Sequence, residues 1–197
     1  MFYIEAFIAP VIAYLFGSLS SAIIVCKIMG LPDPRTQGSK NPGATNVLRI
    51  GGKTAAVVTL LGDVLKGVIP ILIAKWYGLQ ENELALVASG AFIGHLYPVF
   101  FHFQGGKGVA TALGCLLALS WPTGFAWMVT WLLIAIFFRY SSLSSLIASL
   151  LAPIYIWFFS GEVSYIIAIT FISIVLIYRH RSNIIHLMQG KERKIHF

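Results

Sequence analysis

The chain has 197 residues, of which 58% are hydrophobic and only 11% charged. Soluble proteins average about 45–50% apolar and about 25% charged, so this composition excludes disorder and leaves too few charges to cover a soluble surface. The excess of 14 Lys and Arg over 7 Asp and Glu would suggest nucleic acid in a soluble protein; in a membrane protein it reports the positive-inside rule, and no nucleic-acid partner is expected. Seven helices of about 20 residues would use roughly 140 positions. That leaves one multi-pass domain over 1–197, with any chemistry on the bundle and its loops.

Apolar runs predict spans at 2–29, 53–77, 83–103, 109–121, 123–138, 143–159 and 163–178. The first opens on Met1-Phe2-Tyr3-Ile4-Glu5, acidic and not basic. The run is also too long for a signal peptide, so it reads as a retained helix. A polar stretch with Pro32 and Pro34 follows. The second span contains Asp63 and Lys66, three apart and so on one side. Ionisable residues inside a span are costly, and they mark either a site or an ion pair joining two helices. The fourth and fifth spans are short, which leaves five or six full crossings open. Cys26 and Cys115 sit in apolar runs and read as small core residues. No internal repeat is visible, which weighs against an inverted-repeat transporter.

Charge placement orients this bundle of about seven helices. With the N-terminus outside, the inner segments are 30–53, 102–108, 139–142 and 179–197, and they carry eleven of the 14 basic residues. Lys75 falls near the outer face, as do Glu5, Glu81, Glu83 and Glu162. The asymmetry predicts a cytoplasmic C-terminus.

Three segments on that inner face carry chemistry. The first is Gly38-Ser39-Lys40-Asn41-Pro42-Gly43-Ala44-Thr45-Asn46-Val47-Leu48-Arg49. Asn41 before Pro42 reads as a helix N-cap with Pro at the first helical position. Thr45, Asn46 and Arg49 then share a face. Free N–H groups at a helix start, with Ser39, Lys40 and an Arg nearby, make a phosphate site; the alternative is a capped, solvated loop.

The second is Gln104-Gly105-Gly106-Lys107-Gly108. It is not a Walker A loop: Phe101 stands where the leading Gly belongs, and Gly108 where Ser or Thr belongs. A glycine loop can still present N–H groups to an anion, with Lys107 adding charge; a tight membrane turn is the alternative. The third is His180-Arg181-Ser182-Asn183, a basic run below the last span with His180 and Asn183 on one face. Such runs most often anchor anionic headgroups. Arg139 closes the fifth span, and Ser142 and Ser145 open the sixth, where Ser is usually a cap. His95 and His102 have no ligand-spaced partners, so no metal is assigned. No His is followed five residues later by Asp, so the motif common to soluble-type glycerolipid acyltransferases is absent.

In order and spacing these segments resemble the membrane-integral acyl-phosphate:glycerol-3-phosphate acyltransferases, the PlsY family. The Gly62-Asp63…Lys66-Gly67 block and Arg139-Tyr140-x-Ser142-Leu143 fit it too, so the resemblance covers nearly the whole chain. It implies a bacterial inner-membrane enzyme with its active site on the cytoplasmic side. It implies transfer of a fatty acyl group from acyl phosphate to the 1-hydroxyl of glycerol 3-phosphate, giving lysophosphatidic acid for phospholipid synthesis. No cofactor is implied, and neither acyl-CoA nor acyl carrier protein is the donor. A peripheral phosphate acyltransferase would supply the acyl phosphate.

Residue by residue, the resemblance gives Ser39 and Arg49 as needed for activity, and Thr45 and Asn46 as polar residues facing phosphates. It gives Gly105, Gly106, Lys107 and Gly108 as the glycerol 3-phosphate loop, His180 and Asn183 as the third motif's pair, and Glu192 as structural. Ser144 departs from the pattern, where Gly is expected. The candidate catalytic set is Ser39, Arg49, Lys107, His180 and Asn183. The candidate binding set adds Lys40, Asn41, Gly43, Thr45, Asn46, Gly105, Gly106, Gly108, Arg139, Ser142 and Ser145. Either His180 or a substrate phosphate oxygen takes the proton. The rivals are an organic-phosphate transporter or channel, which would need polar groups through to the outer side, and a structural protein with lipid-anchoring loops.

Overall fold

In a computed structural model, the described residues are 2–195; the side chains of 2–6, that of Glu5 among them, lie outside the described set. Among the described residues there are helices and turns but no strand. The helices are α1 (Phe2–Gly17), α2 (Ser21–Ile28), α3 (Ala44–Trp76), α4 (Glu81–Leu96), α5 (Val109–Leu119), α6 (Trp121–Phe138), α7 (Ser141–Phe159), α8 (Val163–Arg179) and α9 (Arg181–Met188). The protein is an all-α integral membrane bundle.

Among the described residues five helical stretches are long and apolar enough to cross a bilayer, or six when α8 and α9, bent by 56°, are counted as one broken span. The fourth expected span is α5, with only 11 residues. At 1.5 Å per residue it is about 16 Å long, against about 30 Å of hydrocarbon. Lys75 reaches in from α3 to its end, its Nζ donating to the carbonyls of Ala118 and Leu119 that the missing turn leaves free. Lys107 before α5 bonds Asn183, and Ser142 after α6 bonds Glu192. Asn183 in turn bonds Glu192. Both ends of the α5–α6 pair are therefore at one face, so the two run out and back with the turn at Ser120.

Two breaks differ from the expected spans. The first run is not one helix: it stops at Gly17 and restarts at Ser21. Ser18 folds its hydroxyl back to Tyr14 O at 2.8 Å. The freed Leu19 carbonyl accepts Lys66 Nζ at 3.0 Å, which supplies the donor lost with the missing turn. The second run begins earlier than position 53, because the motif helix and the span join into α3. The joint is Gly52, at φ 77° and ψ −173°, a left-handed conformation that glycine alone takes cheaply.

Helices in lipid gain little from hiding apolar surface, so they associate through close packing of small residues. The α3–α5 contact shows this. A Cβ on Gly114 would lie 2.2 Å from Val64 O, and one on Gly67 would lie 2.4 Å from Thr111 O. Large side chains such as Phe137, Leu150, Ile167 and Ile174 point outward, where lipid is the solvent. Trp76, Tyr77, Trp121 and Trp157 are exposed at the helix ends away from the loops, the position of an interfacial aromatic belt.

Candidate active site

The first motif does not begin its helix at Asn41. The N-cap is Gly43, in extended conformation, and α3 starts at Ala44. The Gly43 N–H turns back to Asn41 O at 3.0 Å, which leaves Asn41 and Pro42 in the loop. Gly43 O accepts the N–H groups of Asn46 and Val47, at 2.9 and 3.0 Å. Thr45 and Arg49 do share the exposed face, and Thr45 Oγ1 lies 3.4 Å from Ser141 Oγ at the start of α7.

Asn46 is elsewhere. It is 1% exposed. Its Oδ1 accepts the Ser39 N–H at 2.8 Å, and its Nδ2 donates to Pro34 O and Gln37 O at 2.9 and 3.0 Å. One residue beyond Thr45 is a rotation of about 100° on a helix, which takes Asn46 off the Thr45–Arg49 face. It templates the loop that presents Ser39 and Lys40, both exposed. Ser145 is likewise turned inward, donating to Ser141 O at 2.8 Å and accepting from Trp131 Nε1 at 3.0 Å. Ser144 is fully buried and bonds Tyr140 O at 2.8 Å.

Beside the first motif lies a cavity of about 330 Å³ lined by three cations, Arg35, Lys40 and Arg179, together with Gln104 and Gly105. Arg35 is braced by Asp33, Nη2 to Oδ2 at 2.6 Å, and those hydrogen bonds hold the Asp33 carboxyl below its ordinary range. Arg179 donates to Gly105 O at 3.2 Å and to Gly106 O at 2.9 Å, with its guanidinium 5.5 Å from the Tyr97 ring centre. Neither Arg35 nor Arg179 was singled out from sequence. Their hydrogen-bond partners lie 66 to 74 residues away, except for Asp33, so no spacing along the chain marks them.

The glycine loop is therefore held by its carbonyls. A trans peptide points its N–H opposite its C=O. With Gly106 O on Arg179, the Lys107 N–H faces away from Arg179. The Gly106 N–H is not free for an anion, since it donates to His95 O at 3.3 Å. Gly108 sits at φ 86° as the cap of α5, where a Cβ would lie 2.3 Å from the Phe92 ring.

On the other side of the loop a second cluster forms. Lys107 Nζ donates to Asn183 Oδ1. Asn183 Nδ2 donates to Glu192 Oε1 at 2.8 Å, and Ser142 Oγ donates to the same oxygen at 2.6 Å. His186 Nδ1 stands 3.7 Å from Glu192 Oε2. Glu192 arrives on the C-terminal tail, which is pinned where the Ile195 N–H donates to Arg139 O at 2.7 Å and Arg139 Nε donates to Ile195 O at 3.3 Å. Arg139 thus holds the tail.

Burial pushes the Lys107 ammonium below its ordinary pKa. Glu192 opposes that shift, and the charges of Arg179 and Arg49 add to it. Arg49 and Lys107 therefore share one electrostatic neighbourhood. His180 is 3% exposed. Its Nδ1 donates to Leu176 O at 2.9 Å, which leaves Nε2 as the acceptor. Burial lowers its pKa to about 4, against a smaller opposite effect of the Leu176 bond.

Residues 7–190 match the family model described as glycerol-3-phosphate acyltransferase. The chain belongs to the glycerol-3-phosphate acyltransferase family. A glycerol-3-phosphate acyltransferase from Methylococcus capsulatus is 56% identical over 93% of this chain and 92% of its own length. One from Actinobacillus pleuropneumoniae is 50% identical over 96% of both chains. A crystal structure of PlsY, an integral membrane glycerol 3-phosphate acyltransferase, in its glycerol 3-phosphate form superposes with a TM-score of 0.93 at 39% identity, covering 98% of this chain and 96% of that one. The lysophosphatidic acid form of that enzyme superposes at 0.91. The transporter and structural-protein readings give way to an acyltransferase. The candidate residues gather at one end of this bundle, on its loops and the adjoining ends of α3, α7 and α9.

Proposed function

We propose that this acyltransferase takes its acyl group from acyl phosphate and places it on the 1-hydroxyl of sn-glycerol 3-phosphate, releasing lysophosphatidic acid and inorganic phosphate. The observation that carries the reading is a pair of cationic regions on either side of one glycine loop. Each of the two substrates brings a phosphate, close to two negative charges apiece at full ionisation. The solved relative in its glycerol 3-phosphate form supports the acceptor.

Lys107 and the glycine loop, through N–H groups other than that of Gly106, hold the glycerol 3-phosphate phosphate. Ser39, Lys40, Thr45 and the free N–H groups at the start of α3 hold the acyl phosphate beside the Arg35–Arg179 cavity, and Arg49, in the Lys107 neighbourhood, stands between the two phosphates. Asn183 fixes Lys107. Bringing two reactants into attack geometry is worth roughly 7–11 kcal/mol. An N–H donor aimed at the tetrahedral oxyanion adds about 3–4 kcal/mol. Acyl phosphate already carries a good leaving group, so direct attack by the hydroxyl suffices without an acyl-enzyme. The hydroxyl oxygen bonds to the acyl carbon, the acyl carbon–oxygen bond to phosphate breaks, and the hydroxyl proton ends on the departing phosphate. A phosphate oxygen, with a second pKa near 6, is better matched to neutral pH than His180 at about 4. His180 then orients through its neutral ring.

The deciding assay uses purified protein, radiolabelled glycerol 3-phosphate and either acyl phosphate or acyl-CoA. Labelled lysophosphatidic acid is expected with acyl phosphate alone; comparable turnover with acyl-CoA defeats the donor assignment. In the pH profile, kcat/KM rises as pH rises through about 6, where phosphate becomes a dianion. That acid limb stays in place in His180→Asn. Its disappearance there would make His180 the base.

The site face belongs on the cytoplasmic side of the inner membrane, where a peripheral phosphate acyltransferase delivers acyl phosphate. The segments 30–53, 102–108, 139–142 and 179–197, with eleven of the 14 basic residues, all belong to that face. A C-terminal reporter fusion is expected to be active in the cytoplasm; activity only in the periplasm inverts the topology.

A further inference from the structure

We propose that His95, oriented by Asp63, is a positioning residue for the acyltransfer: it sets the shape of the glycine loop from inside the bundle, without touching substrate. The proposal rests on the reading that this loop receives glycerol 3-phosphate.

Asp63, Lys66 and His95 are 2%, 3% and 6% exposed, inside helices α3 and α4. Groups of this kind persist in a membrane span only where they do something. Joining helices needs only the carboxylate and the ammonium. Lys66 Nζ meets Asp63 Oδ1 at 2.9 Å and ties α3 to the break between α1 and α2 through Leu19 O. His95 is surplus to that pair, yet it is placed against it. Its Nδ1 lies 3.6 Å from Asp63 Oδ1 and has no hydrogen-bond partner among the described residues. The carboxylate is the acceptor available to an Nδ1–H, and that tautomer leaves Nε2 with its lone pair outward.

The outward direction is the glycine loop. A Cβ on Gly106 would stand 2.3 Å from His95 Nε2 and 2.8 Å from Pro42 O. The loop is thus wedged between the His95 ring and the first motif. The His95 backbone adds a second hold, accepting the Gly106 N–H at 3.3 Å and leaving no room for a side chain on Gly105, whose Cβ would fall 2.1 Å from His95 O. Arg179 holds the two loop carbonyls from the far side. Fixed on both flanks, the loop has one way to carry Lys107 toward Asn183. Ring and loop are in direct contact, so a change at Asp63 or His95 is felt in the loop that receives glycerol 3-phosphate.

The test compares wild type with His95→Leu and His95→Gln, each purified and shown to be folded. Equilibrium binding of glycerol 3-phosphate is read by calorimetry, and KM for each substrate by steady-state kinetics. The expected result for His95→Leu is binding of glycerol 3-phosphate weakened at least tenfold, the same rise in its KM, and KM for acyl phosphate within twofold of wild type. His95→Gln, which keeps a polar end near Gly106, recovers part of the loss. If His95→Leu does not fold, His95→Gln alone carries the test and is expected to weaken binding by a smaller but measurable factor. A purely structural role predicts lowered thermal stability with unchanged glycerol 3-phosphate binding in whichever variant folds, and that result overturns the proposal. Because binding is read directly, an inactive wild type would count against the proposed reaction and not against this positioning role.

Discussion

Lys107→Ala is expected to lower kcat/KM for glycerol 3-phosphate by roughly 10- to 150-fold, the loss of one charge-assisted contact worth about 1.5–3 kcal/mol. The ammonium is half-buried between the glycine loop and α9 and is tethered to Asn183 before substrate arrives. A tethered cation is already oriented, so little ordering is left to do at binding. If its contact with phosphate is equally strong in ground and transition states, the loss falls on KM; if the contact tightens during attack, kcat falls too. Lys107→Arg should recover only part, because a planar fork does not fit where a compact ammonium did, and Asn183 would have to move. A folded Lys107→Ala enzyme with wild-type kcat/KM would remove Lys107 from the site and leave it a turn residue that matters only for topology.

What the sequence displayed depended on how local the cause was. The apolar run placed the start of the second span at 53, beside the joint at Gly52, but did not show the continuity of the motif helix with that span. The Asp63–Lys66 pair was legible from a spacing of three. The break at residues 18–20 was not, since Ser and Leu are tolerated in helices and the donor that permits the break is Lys66, 47 residues away. Asn46 was placed on the substrate face because it belongs to the right motif, but the helix turns it into the interior, where three bonds occupy it. His95 looked idle for the same reason that Arg179 did. Each acts on the glycine loop from a different helix, and no spacing along the chain records which loop a side chain will reach. The shortness of α5 was legible in the short apolar run 109–121, whereas the donor that satisfies its last carbonyls, Lys75 on α3, was not.

Glu192→Gln should separate two jobs that Glu192 performs. Glu192 accepts from both Ser142 and Asn183, and a Gln carbonyl oxygen can still do so. Its charge is another matter. Burial and the charges of Arg179 and Arg49 lower the Lys107 pKa, and Glu192 is what holds it up. Removing that charge lowers the Lys107 pKa further. Binding of phosphate needs the ammonium, so activity is lost as pH rises through the Lys107 pKa. The alkaline limb of kcat/KM should therefore move to lower pH in Glu192→Gln, with activity near neutrality changed little. Glu192→Ala should show the same displacement and, in addition, a loss of about 10- to 150-fold at every pH. It strands the Asn183 amide and the Ser142 hydroxyl, each having bonded a charged acceptor, and it releases Lys107 from its preset position. The measurement is a full pH–rate profile of the two variants beside wild type at saturating acyl phosphate. An alkaline limb that stays put in Glu192→Gln would mean that Lys107 is not the group titrating there, and the electrostatic link from the C-terminal tail to the glycine loop would fall with it.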